Sequence, residues 1–198
     1  MNDYEKYFKT YAGTPRGKKS SVHYNRNNLR FIKAEEQAKL NPVSIERIIA
    51  LVNELLKSQK MKQIKCPFLQ LNPPFDPKNI CYERIPEYKE LKDKKDIVWM
   101  KFTKQKYLVV VAISKDINFD IPESSEVYDV KKGKDRWRYN TSGIIIHHLN
   151  MEWDESFVLV FPLINIPSGK TRKDIEMAIG NYLIDKGVPI LDFYSHNY

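Results

Sequence analysis

The sequence has little of what characterises disulfide-rich, membrane-spanning or low-complexity proteins. Its 198 residues include two cysteines, seven glycines and eleven prolines, too few for a disulfide framework or a collagen-like composition. The longest apolar runs, at 108–113 and 157–164, are much shorter than the roughly 20 residues that cross a bilayer. The first residues lack the basic and apolar segments of an export signal. We therefore expect a cytoplasmic protein that has no membrane partner.

Positive charge is abundant and unevenly distributed. The chain has 33 Lys and Arg against 25 Asp and Glu, a formal net charge of +8. Residues 1–33 alone contain eight basic and two acidic side chains, whereas 42% of the whole chain is hydrophobic and can form a core. This distribution predicts a basic, aromatic N-terminal arm over 1–33 and a single domain over 34–198.

The first 40 residues contain two candidate helices. Tyr4, Tyr7, Phe8 and Tyr11 have helical spacing after a possible N-cap at Asp3, which predicts a short helix with its aromatic face on the core. Residues 28–40 are also compatible with a helix, ended by the following Asn-Pro pair.

Two further helices have stronger signals. Residues 42–57 carry an apolar stripe of 3.6-residue period, with Asn41 as the expected N-cap and Pro42 in the first helical position. Residues 171–185 begin with Thr171 and Asp174 in the spacing of a capping box and are followed by Gly187 as a stop. Both apolar stripes should be buried, the first of them against a sheet.

Apolar, β-branched runs dominate the C-terminal half. Runs at 97–102 and 107–113 flank a short polar loop and predict an antiparallel hairpin, and runs at 143–149 and 157–161 predict a second one. Residues 188–193 predict a last edge strand that contains Pro189, while 66–86 is Pro-rich and predicts an irregular connection. The sequence thus predicts an α+β fold with a mostly antiparallel sheet of about five strands, packed by amphipathic helices.

A candidate metal site precedes the second predicted hairpin. If 126–131 is extended, Asp129 and Lys131 project from one face, with Asp116 or Asp120 upstream. Metal-dependent nucleases use carboxylates in this relation to a lysine to hold Mg²⁺ and to activate water. His147 is a candidate general acid or base. The alternative interpretation is a solvated hairpin edge and a structural histidine.

Two basic clusters are candidates for nucleic-acid binding. Residues 131–139 interleave five cations with Trp137 and a tyrosine, a combination that suits phosphate neutralisation and base stacking. The alternative is a solvated loop in which Trp137 packs on the core. The predicted nucleic-acid-binding residues are Arg16, Lys18, Lys19, Arg26 and Arg30 in the arm, and Lys132, Lys134, Arg136, Trp137 and Arg138 in the loop.

Residues 168–171 have the sequence Ser-Gly-Lys-Thr before a predicted helix, as in a phosphate-binding P-loop. The first glycine of that motif would fall at 164, where the chain has Ile164. We therefore interpret the segment as an ordinary helix N-terminus at which Lys170, Arg172 and Lys173 could attract one anion.

Two functions follow from these observations. The first is a basic nucleic-acid-binding protein. The stronger form of this hypothesis is a small nuclease with a Mg²⁺-assisted site at Asp116 and Asp129. The second is a non-enzymatic interaction module, an inhibitor or adaptor, that docks on a protein partner through its aromatic N-terminal helix and Pro-rich middle segment. The absence of a strong catalytic motif in the sequence supports this alternative.

Overall fold

The computed structural model describes residues 3–8, 29–70, 96–114, 154 and 156–191, with the backbone alone at 29–31, 69, 70 and 114. A 3-10 helix spans Asp3–Phe8. The α-helices are α1 (Leu29–Leu40), α2 (Ile45–Ser58) and α3 (Arg172–Asp185). The strands are β1 (Phe68–Gln70), β2 (Ile97–Phe102), β3 (Leu108–Ser114) and β4 (Phe157–Pro162).

The four strands form one antiparallel sheet in the order β1-β4-β2-β3. At its centre Trp99 of β2 lies opposite Ala112 on one side and Val160 on the other. The predicted β2–β3 hairpin is confirmed, because the β-branched runs pair directly and the Thr103 N–H donates to the Tyr107 carbonyl at 2.9 Å to close the loop.

The α+β class is confirmed, but the described sheet has three strands of six or seven residues plus the three-residue β1, rather than about five. One predicted strand, 143–149, lies outside the described residues. The other, at 188–193, is wrong over its described part, 188–191, which has no regular structure. Pro189 has no N–H for a ladder, and Leu191 donates a hydrogen bond to the Leu108 carbonyl at 3.1 Å. Conversely, β1 forms inside the segment predicted to be irregular.

Helix α2 begins later than the sequence predicted. Its N-cap is Ser44, whose Oγ accepts a hydrogen bond from the Arg47 N–H at 3.2 Å, so the predicted cap at Asn41 and the helical Pro42 are wrong. The hydroxyl of Ser44 satisfies an N–H of the first turn, and Pro42 lies outside the helix. The apolar stripe is confirmed: its members are buried in one core with residues of β2 and β4. They are Ile48, Ile49, Val52, Leu55 and Leu56, while the first predicted member, Ile45, is half-buried against the same core.

Helix α3 has more buried residues than any other helix in the described part of the chain. Its nine residues from Ile175 to Leu183 are all buried, so the helix has no solvent face along its middle. It contacts β3 and β2, α2 and the 3-10 helix. The predicted capping box is confirmed, with the Thr171 N–H donating to Asp174 Oδ2 at 2.7 Å and the Asp174 N–H donating to Thr171 Oγ1 at 3.3 Å.

The N-terminal 3-10 helix docks its aromatic face on α3, as predicted. The Tyr7 ring is 5.0 Å from that of Tyr182, edge to face, and only 7% of Tyr7 is exposed. Its hydroxyl donates to Asp185 Oδ2 at 2.6 Å, and Asn181 Nδ2 donates to the Tyr7 carbonyl at 2.8 Å. Tyr11 lies outside the described residues, and the division into an arm and a domain at residue 33 stays a prediction.

The two tyrosines at this contact differ in hydrogen bonding. Burial and the Asp185 carboxylate raise the pKa of Tyr7. Burial and the nearby Glu54 carboxylate also raise the pKa of Tyr182, whose buried hydroxyl has no partner at hydrogen-bonding geometry among the described residues. Glu54 Oε1 instead accepts from the Tyr4 hydroxyl at 3.0 Å.

We expect the conservative substitutions Tyr7→Phe and Tyr182→Phe to differ in their effect on stability. Tyr7→Phe removes a hydrogen bond and should lower the free energy of unfolding by about 1 kcal/mol. Tyr182→Phe removes an unpaired buried hydroxyl and should leave stability unchanged or raise it by up to about 1 kcal/mol. Urea denaturation of both variants measures the difference, and equal losses would contradict it.

Candidate nucleic-acid interface

The site residues predicted from the sequence lie outside the described residues, apart from Arg30 in the first turn of α1, whose side chain is not described. Their assignments stay predictions. The residues concerned are the predicted catalytic and metal-binding group Asp116, Asp129, Lys131 and His147, the arm residues Arg16, Lys18, Lys19 and Arg26, and the loop residues Lys132, Lys134, Arg136, Trp137 and Arg138.

The described residues contain a different concentration of positive charge, which we call the lysine cluster: Lys57, Lys60, Lys62 and Lys65. These four lysines lie within nine residues that include no acidic side chain. Three of them are exposed and Lys62 is half-buried. Within the described residues, Lys57, Lys60 and Lys65 have no acidic partner. Their charge is therefore available to an anionic ligand.

A Schellman motif fixes the start of the lysine cluster. The Met61 N–H donates to the Leu56 carbonyl at 2.9 Å and the Lys60 N–H donates to the Lys57 carbonyl at 3.0 Å, which closes the C-terminus of α2. Met61 and Leu56 are both buried, as the motif's hydrophobic contact requires. Lys60 consequently has a positive φ of 58°, in the left-handed region that usually takes glycine.

The rest of the cluster is held by a side-chain clamp. Asn53 of α2 accepts from the Ile64 N–H at 2.7 Å and donates to the Ile64 carbonyl at 2.8 Å. The Lys62 N–H donates to the Ile164 carbonyl at 3.4 Å, which ties the segment to the end of the sheet. Because Met61 and Ile64 are buried between the lysines, the backbone is anchored from inside while the charges face outward.

The N-terminus of α3 is partly occupied by the chain's own groups. The capping box engages the N–H groups of Thr171 and Asp174. The hydrogen bond from the Thr171 side chain is the main reason why the pKa of Asp174 lies below its usual value. Arg172 Nη1 is 2.7 Å from Asp96 Oδ1, and Lys170 Nζ is 2.7 Å from Glu5 Oε1. This arrangement supports the interpretation of 168–171 as an ordinary helix N-terminus.

A second polar cluster surrounds the buried Asp154. Its carboxylate accepts hydrogen bonds from Lys106 Nζ and from the Ser156 N–H and hydroxyl. Burial raises the pKa of Asp154, but these donors together hold it below its usual value. The Asp154 N–H donates to the Phe102 carbonyl at 2.9 Å, so the cluster ties Asp154 to the β2–β3 hairpin. No group of three metal-ligating side chains occurs among the described residues.

Comparisons with protein-family models, with curated proteins and with solved structures each find no match to this chain. Among the described residues no helix is both long and apolar enough to cross a membrane. The interface is therefore interpreted from its own residues.

The sequence contains a signal for the lysine cluster, but one that differs from clusters of arginine and aromatic residues. Four lysines without an acidic neighbour occur in nine residues, but Met61 and Ile64 interrupt them and Lys57 belongs to a predicted helix. The cluster can be recognised only once the end of α2 is known, because the turn at Lys60 decides which of these nine residues are buried and which are exposed.

The capping box predicts a specific pH dependence of stability. Because the folded-state pKa of Asp174 is lowered, its stabilisation is present above the unfolded-state value of about 3.9 and is lost as pH falls through the folded value. Asp174→Asn should lower the free energy of unfolding by about 0.5–1 kcal/mol at pH 7 and by less at pH 2. Thermal unfolding at both pH values measures this, and a loss that does not change with pH would contradict it.

Proposed function

We propose that this protein binds nucleic acid through its phosphates, using the lysine cluster as a preformed contact surface. The observation that carries the proposal is Lys60, a charged residue in the left-handed turn that closes α2. A left-handed conformation costs a residue with a side chain about 1 kcal/mol, so Lys60 is less favourable than glycine for the stability of this turn.

A matched turn elsewhere in the chain strengthens this argument. Helix α3 also ends in a Schellman motif, with Val188 N–H donating to the Leu183 carbonyl and Gly187 N–H to the Ile184 carbonyl, both at 2.9 Å. The left-handed position there is Gly187, with φ of 81°. The same turn thus carries glycine at the end of α3 and lysine at the end of α2, where three other lysines lie close by in the sequence.

The chemistry of the cluster suits phosphate rather than base recognition. A lysine ammonium is a point charge with three donors that can neutralise a phosphate without reading the base. Fixed backbone positions lower the entropy lost on binding, because Asn53 and Ile164 already hold the segment. We propose that the predicted arm and the 131–139 loop add further phosphate and stacking contacts to this surface.

The alternative function, docking on a protein partner, loses one of its two predicted docking segments. Tyr7 of the aromatic N-terminal helix is buried against α3 and Tyr182 of the same chain. The other segment, the Pro-rich middle of the chain, lies mostly outside the described residues. Nucleic-acid binding is therefore the function that the described contacts favour.

The nuclease activity stays part of the proposal as a separate step, with Asp116 and Asp129 as Mg²⁺ ligands, Lys131 activating water and His147 as acid or base. We expect Mg²⁺-dependent nicking of a plasmid or RNA that Asp129→Ala abolishes. Nicking that survives this substitution would remove Asp129 from the role, and binding without nicking under any divalent metal would leave a binding protein alone.

The salt dependence of affinity tests the lysine cluster. Lys60→Gln with Lys65→Gln should weaken binding to a fluorescein-labelled duplex and reduce the slope of log affinity against log salt by about 1.8, or 0.9 per contact. The control is Lys39→Gln with Lys186→Gln, two exposed lysines on α1 and just after α3, which make the same charge change. Fluorescence anisotropy over a salt series measures both, and equal slopes for the two double variants would contradict the assignment.

Lys60→Gly should separate stability from binding. Glycine relieves the left-handed turn, so we expect a free energy of unfolding that is unchanged or higher by up to about 1 kcal/mol, even though glycine also adds entropy to the unfolded chain. Affinity for the duplex should fall because one phosphate contact is lost. Denaturation and anisotropy on the same preparation measure the two effects, and a Lys60→Gly protein that binds as tightly as the native one would count against the proposal.

A further inference from the structure

Lys170 lies beside the lysine cluster and has all of its donors engaged. Its Nζ is 2.7 Å from Glu5 Oε1, 2.9 Å from Gln59 Oε1 and 3.5 Å from the centre of the Phe8 ring. An ammonium group has three N–H donors, so two carbonyl-type oxygens and one ring face satisfy it fully. In this state Lys170 has no donor left for a phosphate.

The position of Lys170 nevertheless places it on the surface that the proposed function uses. Gln59, which it contacts, is the C-cap of α2 and directly precedes Lys60. The segment that leads to Lys170 also contacts the cluster, since the Ile164 carbonyl accepts the Lys62 N–H. The Lys170 side chain thus contacts the residue next to Lys60, and the backbone of the segment before Lys170 contacts that of Lys62.

The three contacts of Lys170 differ in how firmly they are held. Gln59 is 8% exposed and Phe8 is half-buried, so these two side chains hold the ammonium group in a fixed position. The Glu5 side chain is 48% exposed, and an ion pair with an exposed partner contributes only about 0.2–1 kcal/mol. Among the three, Glu5 is the contact that another anion can replace.

We propose that Lys170 is a fifth phosphate-binding lysine of this surface and that Glu5 competes with the nucleic acid for it. A phosphate oxygen takes the place of the Glu5 carboxylate while Gln59 and Phe8 keep the ammonium group in position. The inference rests on the proposed function, because it assumes that the lysine cluster binds phosphates. The Glu5 carboxylate then lowers the affinity of this surface for nucleic acid.

The experiment compares two substitutions that change the net charge equally. Glu5→Ala frees Lys170, whereas Asp3→Ala removes an exposed carboxylate of the same 3-10 helix that has no ion-pair partner in the described part of the chain. We expect Glu5→Ala to raise affinity for a labelled duplex about two- to fivefold more than Asp3→Ala does, the factor that corresponds to the strength of one such ion pair. Combined with Lys170→Met, Glu5→Ala should give no more than the Asp3→Ala gain.

Each outcome of this comparison decides one question. Equal affinities for Glu5→Ala and Asp3→Ala, with normal binding by the native protein, would overturn the competition while leaving the lysine cluster intact. A Glu5→Ala gain that persists with Lys170→Met would also overturn it, because the gain would then come from another group. Native protein that binds no duplex in low salt would overturn the proposed function and this inference with it. Thermal unfolding of each variant shows whether the 3-10 helix stays docked.

Discussion

The burial of α3 along its middle is the constraint on which the described structure depends. A helix with nine consecutive buried residues needs cover on every side, and here the sheet, α2 and the N-terminal 3-10 helix supply it. Its polar side chains must then find partners inside the protein, as Asn181 does at the Tyr7 carbonyl. The aromatic N-terminal segment is thus part of the core, and this explains why a face that resembles a docking surface in the sequence is closed in the structure.

The same packing decides where the positive charge is presented. Because α2 packs on α3, its C-terminus meets the segment that enters α3, and the contacts at Gln59 and Ile164 join the two. The lysine cluster lies at this junction and owes its fixed backbone to the buried Met61 and Ile64. The proposed interface therefore depends on the core, since the residues that anchor the lysines are themselves core residues.

Local signals in the sequence predicted the parts of the fold that local physics determines. The stripe of α2, the capping box of α3 and the β2–β3 hairpin each depend on residues that are close in the sequence, and each was confirmed. Features that depend on distant partners were missed: β1 forms because β4 pairs with it, and the segment at Pro189 stays irregular beside β3. The site was harder to predict for a similar reason. Arginine and aromatic density selected segments outside the described residues, whereas the lysine cluster becomes recognisable only once the turn at Lys60 is known.

The lysine cluster combines a backbone cost with exposed positive charge. Lys60 bears the strain of a left-handed turn that Gly187 avoids at the end of α3, and Lys57, Lys60 and Lys65 are exposed. The attraction of one exposed charge for an anion is weak at physiological ionic strength, where the Debye length is about 8 Å. A polyanion that contacts several lysines at once adds these attractions, and the backbone that carries the lysines is already fixed by the buried Met61 and Ile64. This is the physical reason why we propose nucleic acid, rather than a single small anion, as the ligand of this surface.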